Sequence, residues 1–283
     1  MVHFLRQAGH GVQAYDLQEI PRDTGTPYQR LDVAAASDWE AFDDRVEAVF
    51  FFAGLTGTDQ GFAQAERYVQ VNEGGLLHLL ERIRATGRSI KVIFPSTRLV
   101  YRGSEGPLSE EAPKETKTIY AVNKLACEHY LAAYHNAFGI PYAVLRICVP
   151  YGNVLSDGYS YGTIGFFLRM AREGRAITLF GGGMQKRTFT HVADIYTACA
   201  RIADRNDIVA GLFNIGGEAF ALHDIAVMIA DTFGATVESA EWPAGALKLE
   251  SGDTVFDDAK LVKEIGDYRR NDFKDWLATN FGG

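Results

Sequence analysis

The chain has little of what secreted, membrane-spanning or nucleic-acid-binding proteins are built from. Only three cysteines occur in 283 residues: Cys127, Cys148 and Cys199. Their scatter fits neither a zinc-ligand spacing nor a disulfide framework, and a reducing cytoplasm suits it. The longest apolar run is about eight residues, near 48–55, against the roughly 20 needed to cross a bilayer as a helix. The opening MVHFLRQAGHGVQAYDL has no basic–apolar–small pattern of a secretory leader. Positive charge is short as well. The 28 Lys and Arg are outnumbered by 36 Asp and Glu, for a net charge of −8. That sign is wrong for broad contact with a phosphate backbone, so neither a nucleic acid nor a membrane is an expected partner. Internal repeats, low-complexity tracts and long linkers are missing. At 47% hydrophobic and 23% charged, the composition is that of a folded domain rather than a disordered chain.

What is present is a regular alternation. Val2, Phe4 and Leu5 read as a helix that Gly9 stops, and residues 12–15 then read as a strand. Further strand-length apolar stretches fall at 46–53, 91–94, 142–149 and 212–215. Amphipathic helix-length segments lie between them at 63–85, 120–138 and 192–203. This β-α rhythm predicts an α/β fold, a parallel sheet with helices on both faces. Such sheets bind ligands at the carboxyl ends of their strands. After about residue 150 the rhythm breaks. Residues 153–163 are rich in Gly, Ser and Tyr, and Gly181-Gly182-Gly183 follows a short strand at 177–180. A helix near 222–233, a Pro/Gly stretch at 242–246 and a final helix near 271–281 complete a smaller, less regular lobe.

The residues with chemistry cluster in two places. Tyr120-Ala-Val-Asn-Lys124 follows a turn-rich loop and opens a helix. A spacing of four puts both side chains on one helical face. A phenol near pKa ~10 is a poor base at neutral pH, and an adjacent ammonium favours its phenolate. Such a pair can exchange a proton with a substrate hydroxyl. Taken alone, the pair reads more readily as an aromatic helix-start residue with a solvated lysine. The second place is Phe94-Pro-Ser-Thr-Arg-Leu-Val-Tyr101, where Ser96 and Thr97 reach the carboxyl end of the 91–94 strand. A hydroxyl there can bond a substrate oxygen, though Ser and Thr are also ordinary turn residues.

Together these residues resemble the extended short-chain dehydrogenase/reductase family, the NAD-dependent sugar-nucleotide epimerases and dehydratases. Tyr120 and Lys124 match the family's Y-x-x-x-K. Thr97 matches its catalytic Ser/Thr, four residues before Tyr101 of a V-Y-G-like motif, here Val-Tyr-Arg. Phe52-Ala53-Gly54 is similar to the family's turn against the cofactor, and Asn72 to its helix asparagine. The segments 106–113, 146–152, 187–194 and 213–217 are similar to the acidic loop, R-x-x-N-x-Y-G, R-D-F-x-x-V-D-D and Y-N-x-G-G, in that order.

The resemblance implies a Rossmann-like doubly wound parallel sheet with a smaller α/β substrate-binding lobe. Residues 1–150 would form the NAD-binding domain with 187–217 returning to it, and 151–186 with 218–283 the substrate lobe. Tyr120 would be the acid/base, Lys124 the anchor of the nicotinamide ribose, and Thr97 the holder of the reacting oxygen. Asp16 would accept the adenosine ribose hydroxyls, which favours NAD over NADP because a carboxylate repels a 2′-phosphate. Asp32-Val33 would meet the adenine, with Phe52, Ala53, Gly54, Asn72, Ser96 and Pro150 also against the cofactor. Arg187 would meet the substrate diphosphate through two oxygens at once, and Arg98 would lie beside the substrate. A homodimer is implied through the helices at 63–85 and 120–138.

Three departures stand out. Arg98-Leu99 occupies the place where the family's dehydratases carry Asp-Glu, and neither side chain is a carboxylic acid. A 4,6-dehydratase is therefore disfavoured. The asparagine of R-x-x-N is Val149 here, which removes one polar contact to the nucleotide-sugar. No G-x-x-G-x-x-G occurs. Against the family's usual βαβ unit the chain is expected to lack about 15–25 residues: the first strand, the glycine loop and half a helix. The reading favoured is a redox-neutral epimerase of a nucleotide-diphosphate sugar acting through a transient keto intermediate. The alternatives are a keto-sugar reductase or dehydrogenase, and a non-catalytic Rossmann-like binding protein that has lost its phosphate loop.

Overall fold

The computed structural model describes residues 1–20, 25–58, 60–152 and 162–282. In chain order the first elements are α1 (Val2–Gln7), β1 (Ala14–Asp16), β2 (Tyr28–Arg30), β3 (Ala48–Phe50), α2 (Gln60–Ala63), α3 (Ala65–Tyr68) and α4 (Gly75–Thr86). Then come β4 (Lys91–Thr97), α5 (Ile119–Phe138), β5 (Tyr142–Ile147), β6 (Val149–Tyr151), α6 (Gly162–Arg172), β7 (Ile177–Phe180) and β8 (Lys186–His191). The chain ends with α7 (Val192–Asp204), β9 (Ala210–Asn214), β10 (Glu218–Ala221), α8 (Leu222–Phe233), β11 (Val237–Ala240), α9 (Ala244–Leu249), α10 (Ala259–Ile265) and α11 (Phe273–Phe281).

These elements divide into two compact units. The first holds residues 1–100, 118–146 and 199–213. Its main sheet runs β3-β4-β5-β9, and β1 pairs with β2 in parallel as a second, two-stranded sheet. β4 and β5 are almost wholly buried, as interior parallel strands with both faces covered must be. Leu76, Leu79, Leu80 and Ile83 of α4 pack with Val92, Phe94, Cys127, Leu131 and Val144 into one apolar cluster. Burying a leucine-sized side chain stabilises by about 1.5–3 kcal/mol, so this cluster is where the unit gains most.

Sequence explains the limits of α5. The Thr118 hydroxyl accepts the Ala121 N–H at 3.1 Å and caps the start. Gly139 adopts φ 72° and returns its N–H to the His135 carbonyl, which ends the helix in the left-handed turn that glycine favours.

The second unit holds residues 101–117, 147–198 and 214–283. Its sheets are β10-β8-β6 and β11-β7. β8 is antiparallel to β10 and parallel to β6. Of the expected return segment 187–217, only 199–213 groups with the first unit, because β8 is held by β6 and β10. Residues 101–117 also group with the second unit. Gly103 N–H donates to Ser251 O at 2.9 Å and Leu108 N–H to Val255 O at 2.7 Å.

Several local expectations need correction. The single helix at 63–85 is α3, a π-helical turn at Val69–Gly74, and α4. The strand at 142–149 is two strands in different sheets, because β6 pairs with β8 rather than continuing β5. The Pro/Gly stretch at 242–246 opens α9, with Pro243 at its N-cap and φ −57° already near helical. Most of the Gly/Ser/Tyr stretch, 153–161, lies outside the described residues. No helix among the described residues is long and apolar enough to cross a membrane.

One buried cation ties the main sheet to α7. Lys91, 5% exposed at the start of β4, donates from Nζ to the carbonyls of Ile202 (3.1 Å), Ala203 (3.4 Å) and Arg205 (2.6 Å). These carbonyls lie at and just past the end of α7, where a cation suits the negative pole, and two of them also accept a backbone N–H, Ile202 O from Arg205 and Arg205 O from Ile208. Replacing Lys91 with Met removes the donor that the three carbonyls share. The expected loss is about 1–3 kcal/mol of unfolding free energy in urea titration.

Candidate active site

Strand β4 ends at Ser96 and Thr97, and α5 brings Tyr120, Lys124 and Glu128 past it at successive turns. Lys124 is 7% exposed. Its Nζ donates to the Pro95 carbonyl at 2.7 Å, lies 4.3 Å from the Phe94 ring centroid and 5.8 Å from that of Tyr120. Burial lowers the Lys124 ammonium from 10.5 to about 8, partly opposed by the nearby Cys127 and Glu128. Thr97 is buried, and its Oγ1 accepts the Leu99 N–H at 3.2 Å. That bond uses an acceptor site and leaves the hydroxyl hydrogen to donate elsewhere. Arg98 is half-buried in the short 3₁₀ turn Arg98–Val100.

Ser96 is placed differently from a free turn hydroxyl. It donates to Glu128 Oε1 at 2.5 Å, and Arg146 of β5 grips the same carboxylate through Nε at 3.0 Å and Nη2 at 2.5 Å. The Arg146 and Glu128 side chains are 2% and 4% exposed. Sequence reasoning missed this pair. The signal was available: Glu128 is one turn beyond Lys124 on the inward face of α5.

Asn72 sits inside the π-helical turn, and its amide pairs with both backbone groups of Leu55. Oδ1 accepts the Leu55 N–H at 2.7 Å, and Nδ2 donates to the Leu55 carbonyl at 3.1 Å. A Cβ on the adjacent Gly54 would come within 2.9 Å of Asn72 Oδ1, so this close approach requires glycine. Asn72 Nδ2 also donates to Asn123 Oδ1 at 3.4 Å, and Asn123 Nδ2 donates to Glu73 Oε1 at 2.6 Å. Tyr130 donates to the other Glu73 oxygen at 2.9 Å, which pushes the Tyr130 phenol up. Phe52, Ala53 and Gly54 form an exposed turn after β3.

The other sequence candidates are dispersed. Asp16 ends β1 with an exposed carboxylate whose Oδ1 accepts the Gln18 N–H at 3.1 Å. Asp32 Oδ1 accepts the Ala34 N–H at 2.9 Å, and the Val33 carbonyl accepts Trp39 Nε1 at 3.0 Å. Pro150 is half-buried in β6, opposite Thr190. In the second unit, Arg187 is 1% exposed and paired with Glu250. Among the described residues, no group of three or more His, Cys, Asp or Glu side chains is placed to hold a metal ion.

Removing one member of a buried ion pair strands the other charge, which costs about 3–5 kcal/mol. Glu128→Ala is expected to lose that much in chemical denaturation, far more than a surface carboxylate such as Glu173 paired with Arg175.

A model of the NAD dependent epimerase/dehydratase family matches residues 1–216. The chain is 30% identical over 242 residues to a dTDP-L-rhamnose 4-epimerase of Burkholderia thailandensis, covering 72% of this chain and 66% of that protein. It is 27% identical over 214 residues to an uncharacterised UDP-glucose epimerase of Bacillus subtilis, covering 74% of this chain and 66% of the other. The chain thus spans just under two thirds of the length of these curated relatives. The fold is similar to that of a Thermus thermophilus UDP-glucose 4-epimerase solved with NAD, with a TM-score of 0.86 at 24% identity, covering 100% of this chain and 94% of that one. The fold is therefore an α/β Rossmann type, and the chain belongs to the NAD dependent epimerase/dehydratase family.

Proposed function

We propose that the protein is an NAD-dependent epimerase of nucleotide-diphosphate sugars that works through a transient keto sugar, with Tyr120 as the acid/base. One observation carries the reading: the buried ammonium of Lys124 lies one helical turn from Tyr120, beside a strand end that presents Thr97. The resemblance to epimerases supports the reaction class.

The residues present fit the ribose and nicotinamide portions of a dinucleotide. The exposed Phe52–Gly54 turn and the Ser96–Thr97 pair stand at the carboxyl ends of the parallel strands β3 and β4, where such sheets bind ligands. Lys124 would hold the nicotinamide ribose and Asp16 the adenosine ribose hydroxyls. Asp32 and Val33 would line the adenine, with Gly54, Asn72, Ser96 and Pro150 completing the contacts. The first unit would carry NAD and the second most of the sugar nucleotide, with Arg98 of the first unit a substrate contact and Arg187 one where Glu250 gives way. When bound, NAD supplies the acceptor and later the donor of the hydride.

The chain's own residues handle the proton. Thr97 donates its free hydrogen to the reacting sugar oxygen and orients it. Tyr120 takes the carbinol proton, and Lys124 stabilises the negative charge that the transfer puts on the phenolic oxygen. Returning the same proton after the keto sugar has turned over closes a cycle with no net oxidation. Arg98-Leu99 beside Thr97 offers no carboxylic acid for expelling water, which separates this reading from dehydration.

Lys124 is charged below about pH 8 and neutral above it. Turnover is therefore expected to fall on the alkaline side as pH passes about 8, and Lys124→Met should abolish that limb together with most activity. Tyr120→Phe should cut kcat by about 10²–10⁴-fold while NAD remains bound. The test is purified protein with a panel of UDP-, dTDP-, GDP- and CDP-sugars, followed by product analysis and NADH absorbance. An epimer without net NADH supports the proposal. Net NADH change would mark a reductase or dehydrogenase, and NAD absent from denatured protein would mark a binding protein.

A homodimer in the cytoplasm accompanies this reading. Val69, Val122 and Phe138 are exposed apolar side chains on the helical segments concerned. Sedimentation should give a dimer, and a monomer at working concentration refutes that part.

A further inference from the structure

Arg187 was expected to offer its guanidinium to a substrate diphosphate. In the structure three of its five N–H donors are already bonded within the protein. Nη1 donates to the carbonyls of Lys186 (2.8 Å) and Gly252 (2.5 Å), and Nη2 donates to Glu250 Oε1 at 2.5 Å. The Arg187 side chain is 2% exposed and that of Glu250 19%.

Glu250 is no chance surface partner. The same Oε1 accepts the Gly252 N–H at 3.0 Å, and the Glu250 carbonyl accepts Lys117 Nζ at 2.7 Å. The segment that follows is laced to β8. Lys186 N–H donates to Asp253 Oδ1 at 2.8 Å, Thr254 N–H to Lys186 O at 2.9 Å, and Phe256 N–H to Thr188 Oγ1 at 2.8 Å. These bonds fix where the Glu250 carboxylate can be. It stands on the one guanidinium that sequence reasoning reserved for an anion.

We propose that Glu250 is a specificity-determining residue. Its carboxylate holds Nη2 of Arg187 and puts a negative charge against the guanidinium, so an anionic group of the substrate pairs with Arg187 in full only by displacing it. The inference rests on the nucleotide-diphosphate reading above. The physical reason is charge balance in a buried place. Arg187 with Glu250 carries no net charge, and both Nη1 hydrogens and one of Nη2 are engaged. A diphosphate brought to the intact pair would meet a carboxylate of its own sign. With the Glu250 charge removed, the buried guanidinium is left uncompensated, and a bound anion restores the balance. The protein therefore discriminates against substrates whose affinity comes mainly from the diphosphate, and favours those with enough nucleoside and sugar contacts to open the pair.

Glu250→Gln tests this, because the amide oxygen can still accept from Arg187 and Gly252 while the charge is gone. The probes are UDP and dTDP, with uridine and thymidine as controls, titrated calorimetrically into the full chain. The expected result is at least tenfold tighter binding of the nucleoside diphosphate to E250Q than to wild type, with nucleoside binding unchanged. Adding Arg187→Gln to E250Q should return the affinity to the wild-type level. A second readout covers a variant that folds poorly. Inorganic pyrophosphate should raise the melting temperature of E250Q more than that of wild type, since a ligand of the folded state stabilises it by mass action. Equal diphosphate affinity in wild type and E250Q overturns the inference and leaves the substrate reading intact. No nucleoside diphosphate binding to any variant overturns the substrate reading, and the inference with it.

Discussion

The carboxylate of Glu128 is the point on which the candidate site depends. Three donors converge on it, from Ser96 on β4 and from Arg146 on β5, while Glu128 itself projects from α5. Two charges taken out of water at this depth are tolerated only when geometry and hydrogen bonding are good. Here the forked contact is two-pronged, and the Ser96 hydroxyl uses a further lone pair on Oε1. Helix and strands are thereby fixed in one register. Lys124, one turn earlier, can then sit buried between the Pro95 carbonyl and the Phe94 ring. The same carboxylate helps keep Lys124 charged against the burial that lowers it to about 8. A structural ion pair and a chemically tuned ammonium therefore share one piece of helix.

A second network works by hydrogen-bond logic rather than by charge pairing. Glu73 can only accept, so Asn123 must turn its NH₂ toward it and its oxygen toward Asn72. Asn72 must then present its own NH₂ to Asn123 and the Leu55 carbonyl, which leaves its oxygen for the Leu55 N–H. One carboxylate thus determines the orientation of two amides and clamps the turn that follows β3. The clamp needs Asn72 to point at backbone in the middle of a helical run. The π-helical turn at Val69–Gly74 is where the helix yields to allow it. Single π turns are rare and tend to mark such functional demands.

This distinguishes what was legible from what was not. The Tyr120/Lys124 spacing, the strand-end hydroxyls and the β-α alternation are periodic features, and periodicity is what a sequence displays. β7 and α8 fall at the residues the pattern indicates, 177–180 and 222–233. The π turn has no periodic signature, since its cause is a side chain meeting a backbone 17 positions away. The division of 142–149 into β5 and β6 was hidden for a related reason: both halves are apolar, and only pairing with β8 separates them. The same is true of 101–117, whose tie to residues 251–255 is made by backbone bonds.

The two arginines buried among the described residues show where reading by residue type stops. Arg146 and Arg187 are both strand arginines, both nearly inaccessible, and both matched to a glutamate at 2.5 Å. By type they are indistinguishable. Their partners differ. Glu128 is 4% exposed in the middle of a long helix, surrounded by the side chains it holds, and opening it would strand charges in the core. Glu250 is 19% exposed at the end of a short helix, and one turn of backbone carries it. Separating the first pair costs structure, because it leaves the Arg146 guanidinium buried without its counter-ion and takes from Glu128 the two-pronged contact that holds it. Separating the second releases a carboxylate into solvent and a guanidinium to whatever anion takes its place. Equal chemistry at unequal depth makes one pair a fixture of the fold and leaves the other open to exchange.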